Sequence, residues 1–313
     1  MDNLTHSLIG AALGQAGLKR KTGLAMPALI IGANLPDIDA GCVIYGIESL
    51  SMRRGITHGP IALVVLPLLL AGALWWFDRW QERRGKRPEG RLPVQFGWLL
   101  ALCFIGCLTH PLFDWFNNYG IRLLEPFSSQ WFYGDSLFII DPWIIAMLGV
   151  GIWLSLRRER SGQSRWPRPA RIALVGLAAF VGLNGALTGL VETTARGDAP
   201  YPSLAVANPV PVAFWRRDLL VRTGDGGFDA VECSLLTCRR RPVELTPTNM
   251  SDPRIAEWSK ADPAAQAFLF WSRMPVAELH ADRIILRDQR FMDPRIGDRF
   301  TVTLRPPAQG FPR

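Results

Sequence analysis

His6, His58 and His110 are interspersed with Asp37, Asp39 and Asp114 over the first 114 residues, and each stands at the edge of an apolar run. His110 and Asp114 share the stretch "LTHPLFDWFNNYG". Residues four apart are neighbours on one helix face. Ionisable groups in or beside hydrocarbon are costly and mark function by default. Neutral imidazole and carboxylate are the usual ligands of zinc and its neighbours in the first transition row. With Asp135 and Asp141 of "GDSLFIIDPW" added, the set exceeds what one tetrahedral ion needs. One or two divalent ions, zinc first among them, would use it. Two such ions a few ångströms apart clamp a phosphoryl oxygen during in-line displacement. The chemistry these residue types point to is therefore hydrolysis of a phosphoester or another ester. Asp135 or Asp141 would act as general base or orient a ligand histidine. Asp141 before Pro142 also fits a helix N-cap with proline at the first position. Arg53 and Arg54 form a guanidinium pair suited to a substrate phosphate, or serve as interfacial anchors. Cys103 and Cys107 share the face of His110 and read as small packing residues. Asn117, beyond the helix end, reads as incidental.

Apolar runs must position these groups. Hydrophobic residues make up 49% of the chain and concentrate before residue 192. Four runs, 58–77, 96–113, 137–156 and 171–191, are long enough for a bilayer core, which needs about 20 residues as helix. "LTHSLIGAALGQAGL" and "LAMPALIIGANL" are shorter. They read as two more short helices, or as a re-entrant pair; a signal peptide lacks its basic leading segment. His6, Gly10 and Gly14 follow one another at helical spacing, and small residues there let helices approach closely.

Loop charge sets the orientation. Segments 19–21, 79–91 and 157–171 carry fifteen Lys or Arg, and segments 36–57 and 117–136 carry three. Short cytoplasmic loops collect Lys and Arg, so the first set is expected inside. All six candidate ligands, with Asp135 and Asp141, then fall at one depth on the outer side. The net charge of +8 arises largely in these inner loops and gives no reason to expect nucleic acid.

"MDNLTHSLIG", "NLPDID", "RRGITHGP", "THPLFDWFNNYG" with "EPFS", and "DSLFIIDPW" together resemble the YdjM-like family of bacterial inner-membrane metal-dependent hydrolases, over residues 1–156. That resemblance implies metal binding by His6, Asp37, Asp39, His58, His110 and Asp114, with Asp135 and Asp141 close by. It also implies a hydrolytic activity with some likeness to zinc-dependent phospholipase C enzymes. Two departures stand out. Arg53 occupies a position where the family often has histidine, and Gly59 one where it often has serine.

Beyond Val191 the composition changes. Residues 192–212, rich in Pro and Ala, read as a linker, and 213–313 as a small soluble α+β domain on the periplasmic side. Strands are expected at 213–222 and 228–236 around the turn signal "TGDGG", and at 276–290 and 298–305. One or two short helices are expected in "DPRIAEWSKADPAAQAFLFWSR". Cys233 and Cys238 are close enough to bridge across a bend, or stand as two free thiols. His280 reads as a strand residue. The whole is expected to be a polytopic membrane domain of about six helices, the first two short, over residues 1–191, followed by that domain. A lipid or lipid-linked substrate suits a site at interface depth; protein partners are not legible. The rival readings are an ion- or metal-handling transporter and a scaffold with a structural metal. The near absence of ionisable residues deeper in the third, fourth and sixth helices counts against transport.

Overall fold

The computed structural model describes every residue except 199–203, 224–225, 236, 241–245, 293–298 and 307–313. Gly224 and Asp225 of the expected turn, and Asp298 at the start of the expected last strand, lie outside the described residues.

Two compact units divide the chain. The first comprises Met1–Asp39, Arg54–Ala186 and Pro211–Phe214. Its helices are α1 (Asn3–Gln15), α2 (Ala25–Gly32), α4 (Pro60–Arg83), α5 (Phe96–Trp115), α6 (Pro142–Arg160) and the first part of α7 (Arg168–Asp198), while α3 (Ser49–Met52) belongs to the second unit. Among the described residues, three helical segments are long and apolar enough to cross a membrane: Pro60–Arg83, Phe96–Trp115 and Arg168–Thr193. A fourth candidate is the pair Ala25–Gly32 and Leu35–Met52, bent by 41°. Large apolar side chains on these spans, Leu68, Leu69, Trp76, Leu108, Val175 and Leu183 among them, are exposed, as a lipid-facing surface requires.

The expected span at 137–156 is shifted. α6 begins only at Pro142, because the chain before it is pinned: Ser136 and Leu137 donate to the Phe116 carbonyl, and Asp141 caps the helix. It runs on to Arg157, Arg158 and Arg160, which lowers its apolar character. α1 and α2, at 13 and 8 residues, are too short to cross about 30 Å alone.

Packing around α2 is close. A Cβ added at Gly10 of α1 would lie 2.6 Å from the Leu29 carbonyl oxygen, and one at Gly106 of α5 would lie 2.8 Å from the same atom. Small residues thus bring α1 and α5 onto α2. On α5 the buried positions Leu99, Leu102, Cys103, Gly106 and Cys107 form one stripe at helical spacing. His110 and Asp114 continue that stripe by two more turns.

The second unit comprises Ala40–Arg53, Leu187–Val210 and Trp215–Arg313. It holds an antiparallel sheet of β1 (Ala205–Pro209), β2 (Arg216–Arg222), β3 (Gly227–Ser234) and β4 (Thr237–Arg240), with β5 (Thr246–Pro247) pairing β3. A second antiparallel sheet orders β6 (Pro275–Leu279), β7 (Ile284–Asp288) and β8 (Thr301–Leu304). Helices α8 (Pro253–Trp258) and α9 (Pro263–Trp271) lie between the sheets in sequence. α3, within the 40–53 segment, packs on α9.

Parts of the expected linker 192–212 are regular structure. α7 continues to Asp198, and β1 is buried at every position because it pairs along β2 with small and branched side chains on both faces. Cys233 and Cys238 face each other across β3 and β4 and form a disulfide. His280 sits in the exposed turn joining β6 to β7, not within a strand.

Asp288 anchors this unit. Arg290 grips it with Nε and a terminal nitrogen, each at 2.8 Å, and the Ser272 hydroxyl donates to it at 2.6 Å. Burial alone would raise the Asp288 pKa; the Arg290 charge and these hydrogen bonds outweigh it and hold the group below its ordinary value. A depressed carboxyl contributes stability present above its unfolded pKa of about 3.9 and lost as pH falls through the folded value. Asp288→Asn leaves a buried guanidinium uncompensated. It is expected to destabilise the unit by about 3–5 kcal/mol at neutral pH and to flatten its acid sensitivity, as followed by denaturant unfolding at pH 7 and pH 3. Equal stability of the two proteins at pH 7 would contradict this.

Candidate metal centre

Four segments of the first unit deliver the polar groups. Asp2 caps α1, accepting from the Thr5 backbone at 3.1 Å, and His6 follows in the first turns. Asp37 and Asp39 come from the 3-10 stretch Leu35–Glu48 that follows α2. His58 closes the short turn Ile56–His58, and His110 and Asp114 end the buried stripe of α5.

Asp37, His58, His110 and Asp114 each offer one ligand atom, and these atoms lie within 4.8 Å of one another. His110 Nε2 is 3.6 Å from Asp37 and 3.5 Å from Asp114; His58 Nε2 is 4.0 and 3.5 Å from the same two carboxylates. His6 joins from α1, its Nε2 3.3 Å from Asp114 and its ring stacked on His110 at 3.8 Å between centroids. All three Nε2 atoms are buried and lack a hydrogen-bond partner.

The far sides of two rings explain which nitrogen faces inward. His110 Nδ1 donates to the Ala33 carbonyl at 2.7 Å. The Thr57 hydroxyl donates to Asp39 at 2.8 Å, so its oxygen is left to accept from His58 Nδ1 at 2.9 Å. Burial, reinforced by His110, keeps His58 below the ordinary histidine pKa and hence neutral. Both rings therefore turn an Nε2 lone pair toward carboxylate oxygens. Lone pairs meeting lone pairs in a buried spot repel, and a cation between them reverses the sign. The donor set fits a divalent transition ion.

Asp39 is not one of the converging ligands. It stands behind His58, 3.5 Å from Nδ1, and accepts from the Arg54 backbone at 2.8 Å. Arg54 is likewise not a surface anchor. Its backbone is left-handed, φ 54°, an uncommon state for a side-chain-bearing residue. Its guanidinium is buried, with Nε 3.0 Å from Asp114, a terminal nitrogen donating to Asn117 at 3.0 Å and to the Gly120 carbonyl at 3.3 Å, and the Tyr119 ring 4.5 Å away. Arg53 is half-buried and belongs to the second unit, so the expected phosphate-binding pair is not formed by two outward guanidiniums. Asp135 and Asp141 are buried but outside the converging group; Asp141 accepts from the Trp143 and Ile144 backbone as the α6 cap. The Met1 amino group also donates to Asp114.

Sequence reading missed Thr57 and misjudged Asn117. Asn117 is fully buried and tied to Arg54, which the run "NNYG" after a membrane helix could have signalled. Gly59, the departure from serine, has a local cause: a Cβ there would fall 1.9 Å from the Glu125 carbonyl oxygen.

A family model described as "YdjM inner membrane protein" matches residues 1–191. The chain is also similar to the uncharacterized protein YfhP of Bacillus subtilis (strain 168), 27% identical over 165 residues, which cover 49% of this chain and 46% of that protein. The match thus spans about half the length of that relative. No solved structure matches.

Asp114→Asn is expected to lower zinc affinity by at least about 10-fold, and Thr57→Val by about 10- to 100-fold through loss of the His58 orientation. Competition with a chelator of known affinity measures both. Unchanged affinity in the two variants would reduce the cluster to hydrogen-bonded packing.

Proposed function

Since this chain belongs to the YdjM inner membrane protein family, we propose that it is a multi-pass, metal-dependent hydrolase of the bacterial inner membrane. Its substrate on this reading is a phosphoester or other ester of a lipid or lipid-linked molecule. The observation that carries the reading is the convergence of three histidine Nε2 atoms on Asp37 and Asp114, all buried, at the end of a membrane-length helix.

The roles divide as follows. His6, His58, His110, Asp37 and Asp114 hold one or two divalent ions, zinc first among candidates. A bound ion of this kind supplies Lewis acidity toward a phosphoryl or carbonyl oxygen and makes water nucleophilic near neutral pH. Ala33 and Thr57 keep two imidazoles in the metal-binding tautomer, and Asp39 holds Thr57. Arg54 fixes Asp114 and offsets its charge. Neither Asp135 nor Asp141 is needed as a base; Asp141 is better accounted for as a helix cap.

The basic loops support an orientation with the metal residues and the C-terminal domain on the periplasmic side. The disulfide between Cys233 and Cys238 supports the same placement, because such bonds persist in oxidising compartments. A structural metal is the second reading, and the burial of every proposed ligand favours it.

Reconstitution into vesicles with zinc or manganese tests the choice. The hydrolase reading expects metal-dependent release of headgroup or fatty acid from phospholipid, abolished by chelator and reduced at least about 100-fold in His58→Ala, a scale set by losing transition-state charge stabilisation. Stoichiometric zinc with no turnover across phosphoester and carboxylester lipids would support the structural reading instead.

A further inference from the structure

The first unit carries a second feature that the metal centre does not use. A groove of about 710 Å³ runs between α6 and α7. Val150 and Leu154 of α6 and Ile172 and Gly176 of α7 line it, with Trp143 at one end. Arg158 and Arg168 line the other end, where the two helices are joined by the short connection 161–167. From Trp143 to Arg158 is about 22 Å of helix by rise, more than half of a hydrocarbon core of about 30 Å. Its walls suit an alkyl chain, and its volume falls in the range of about 300–1,000 Å³ typical of ligand sites.

Charge identifies the occupant. Among the described residues, neither the Arg158 nor the Arg168 side chain has a carboxylate partner, whereas nearby Glu159 is taken by Lys19. Two unpaired guanidiniums at the mouth of an apolar slot in a membrane protein match one phosphate on one acyl chain. Basic pockets between helices on the cytoplasmic side bind anionic headgroups in this way, and guanidinium meets phosphate through paired donors. We propose that the α6–α7 groove is a binding site for one anionic phospholipid, its acyl chain lying between the helices and its phosphate held by Arg158 and Arg168. This inference stands apart from the hydrolase reading: the charged mouth of the groove lies at the basic-loop end, and no residue of the metal centre lines it.

Delipidated protein in mild detergent, titrated with phosphatidylglycerol or with phosphatidylethanolamine of the same chains and followed by native mass spectrometry, tests the site. One phosphatidylglycerol should bind per chain, at least tenfold tighter than phosphatidylethanolamine. The double variant Arg158→Gln with Arg168→Gln should weaken it roughly 30-fold, the effect of two basic residues at a membrane surface. Ala146→Phe, which fills the groove, should abolish retention of either lipid. Zinc content should be unchanged in both variants, which keeps a folding defect from passing as a result. Equal binding of the two lipids, or an undiminished affinity in the double variant, would overturn the proposal. So would a dimer crosslinked through Val150, since the groove would then hold a second copy of the chain.

Discussion

Asp37 and Asp114 aim their carboxylates at one buried spot, and that like-charge encounter constrains everything around it. Two anions a few ångströms apart in a medium of low effective dielectric repel strongly and lack water to screen them. Arg54 and the Met1 amino group both offset part of this charge by contact with Asp114, while the His58 and His110 imidazoles face Asp37. Imidazoles cannot supply the rest, because burial keeps His58 neutral and its outer nitrogen is already engaged. A divalent cation would relieve the remaining repulsion and give the three inward nitrogens a partner. The same account explains why Thr57, Ala33 and Asp39 matter without touching the centre. They decide which nitrogen faces in.

Holding such a centre requires a rigid frame, and the frame is built by omission of side chains. Gly10 and Gly106 let two helices rest on the Leu29 carbonyl, so the backbones that carry His6 and His110 meet across α2. Gly59 admits the Glu125 carbonyl beside the turn that carries His58. Aliphatic side chains at these points would force the helices apart by several tenths of an ångström or more, which the metal geometry would feel at once.

Much of the centre was legible because α5 is regular. Its stripe of Leu, Cys and Gly gives way to His110 and Asp114 at the same spacing, so the buried face could be traced through a change of chemistry. The pairing of His58 with Asp37 and Asp114 was legible only as a shared depth. What escaped was local and three-dimensional. Arg54 turns inward on a left-handed backbone, a conformation that no neighbouring residue type announces. Asp39 differs from Asp37 by two residues, about two-thirds of a 3-10 turn, enough to move it from the centre to the rear of His58. In the second unit, strand periodicity placed most strands, but the Pro- and Ala-rich composition hid β1, which is buried at every position and shows no alternation.

The chain between Asp39 and Arg54 belongs to the second unit, with α3 packed on α9 more than 200 residues later. During synthesis all the candidate ligands have been made once Asp114 is added, yet the connector between two of the segments that carry them still lacks its packing partner. That partner is made only from Pro263 onward. Long-range contacts of this kind form late. The loop that ties Asp37 and Asp39 to His58 therefore completes its packing only after α9 has been made.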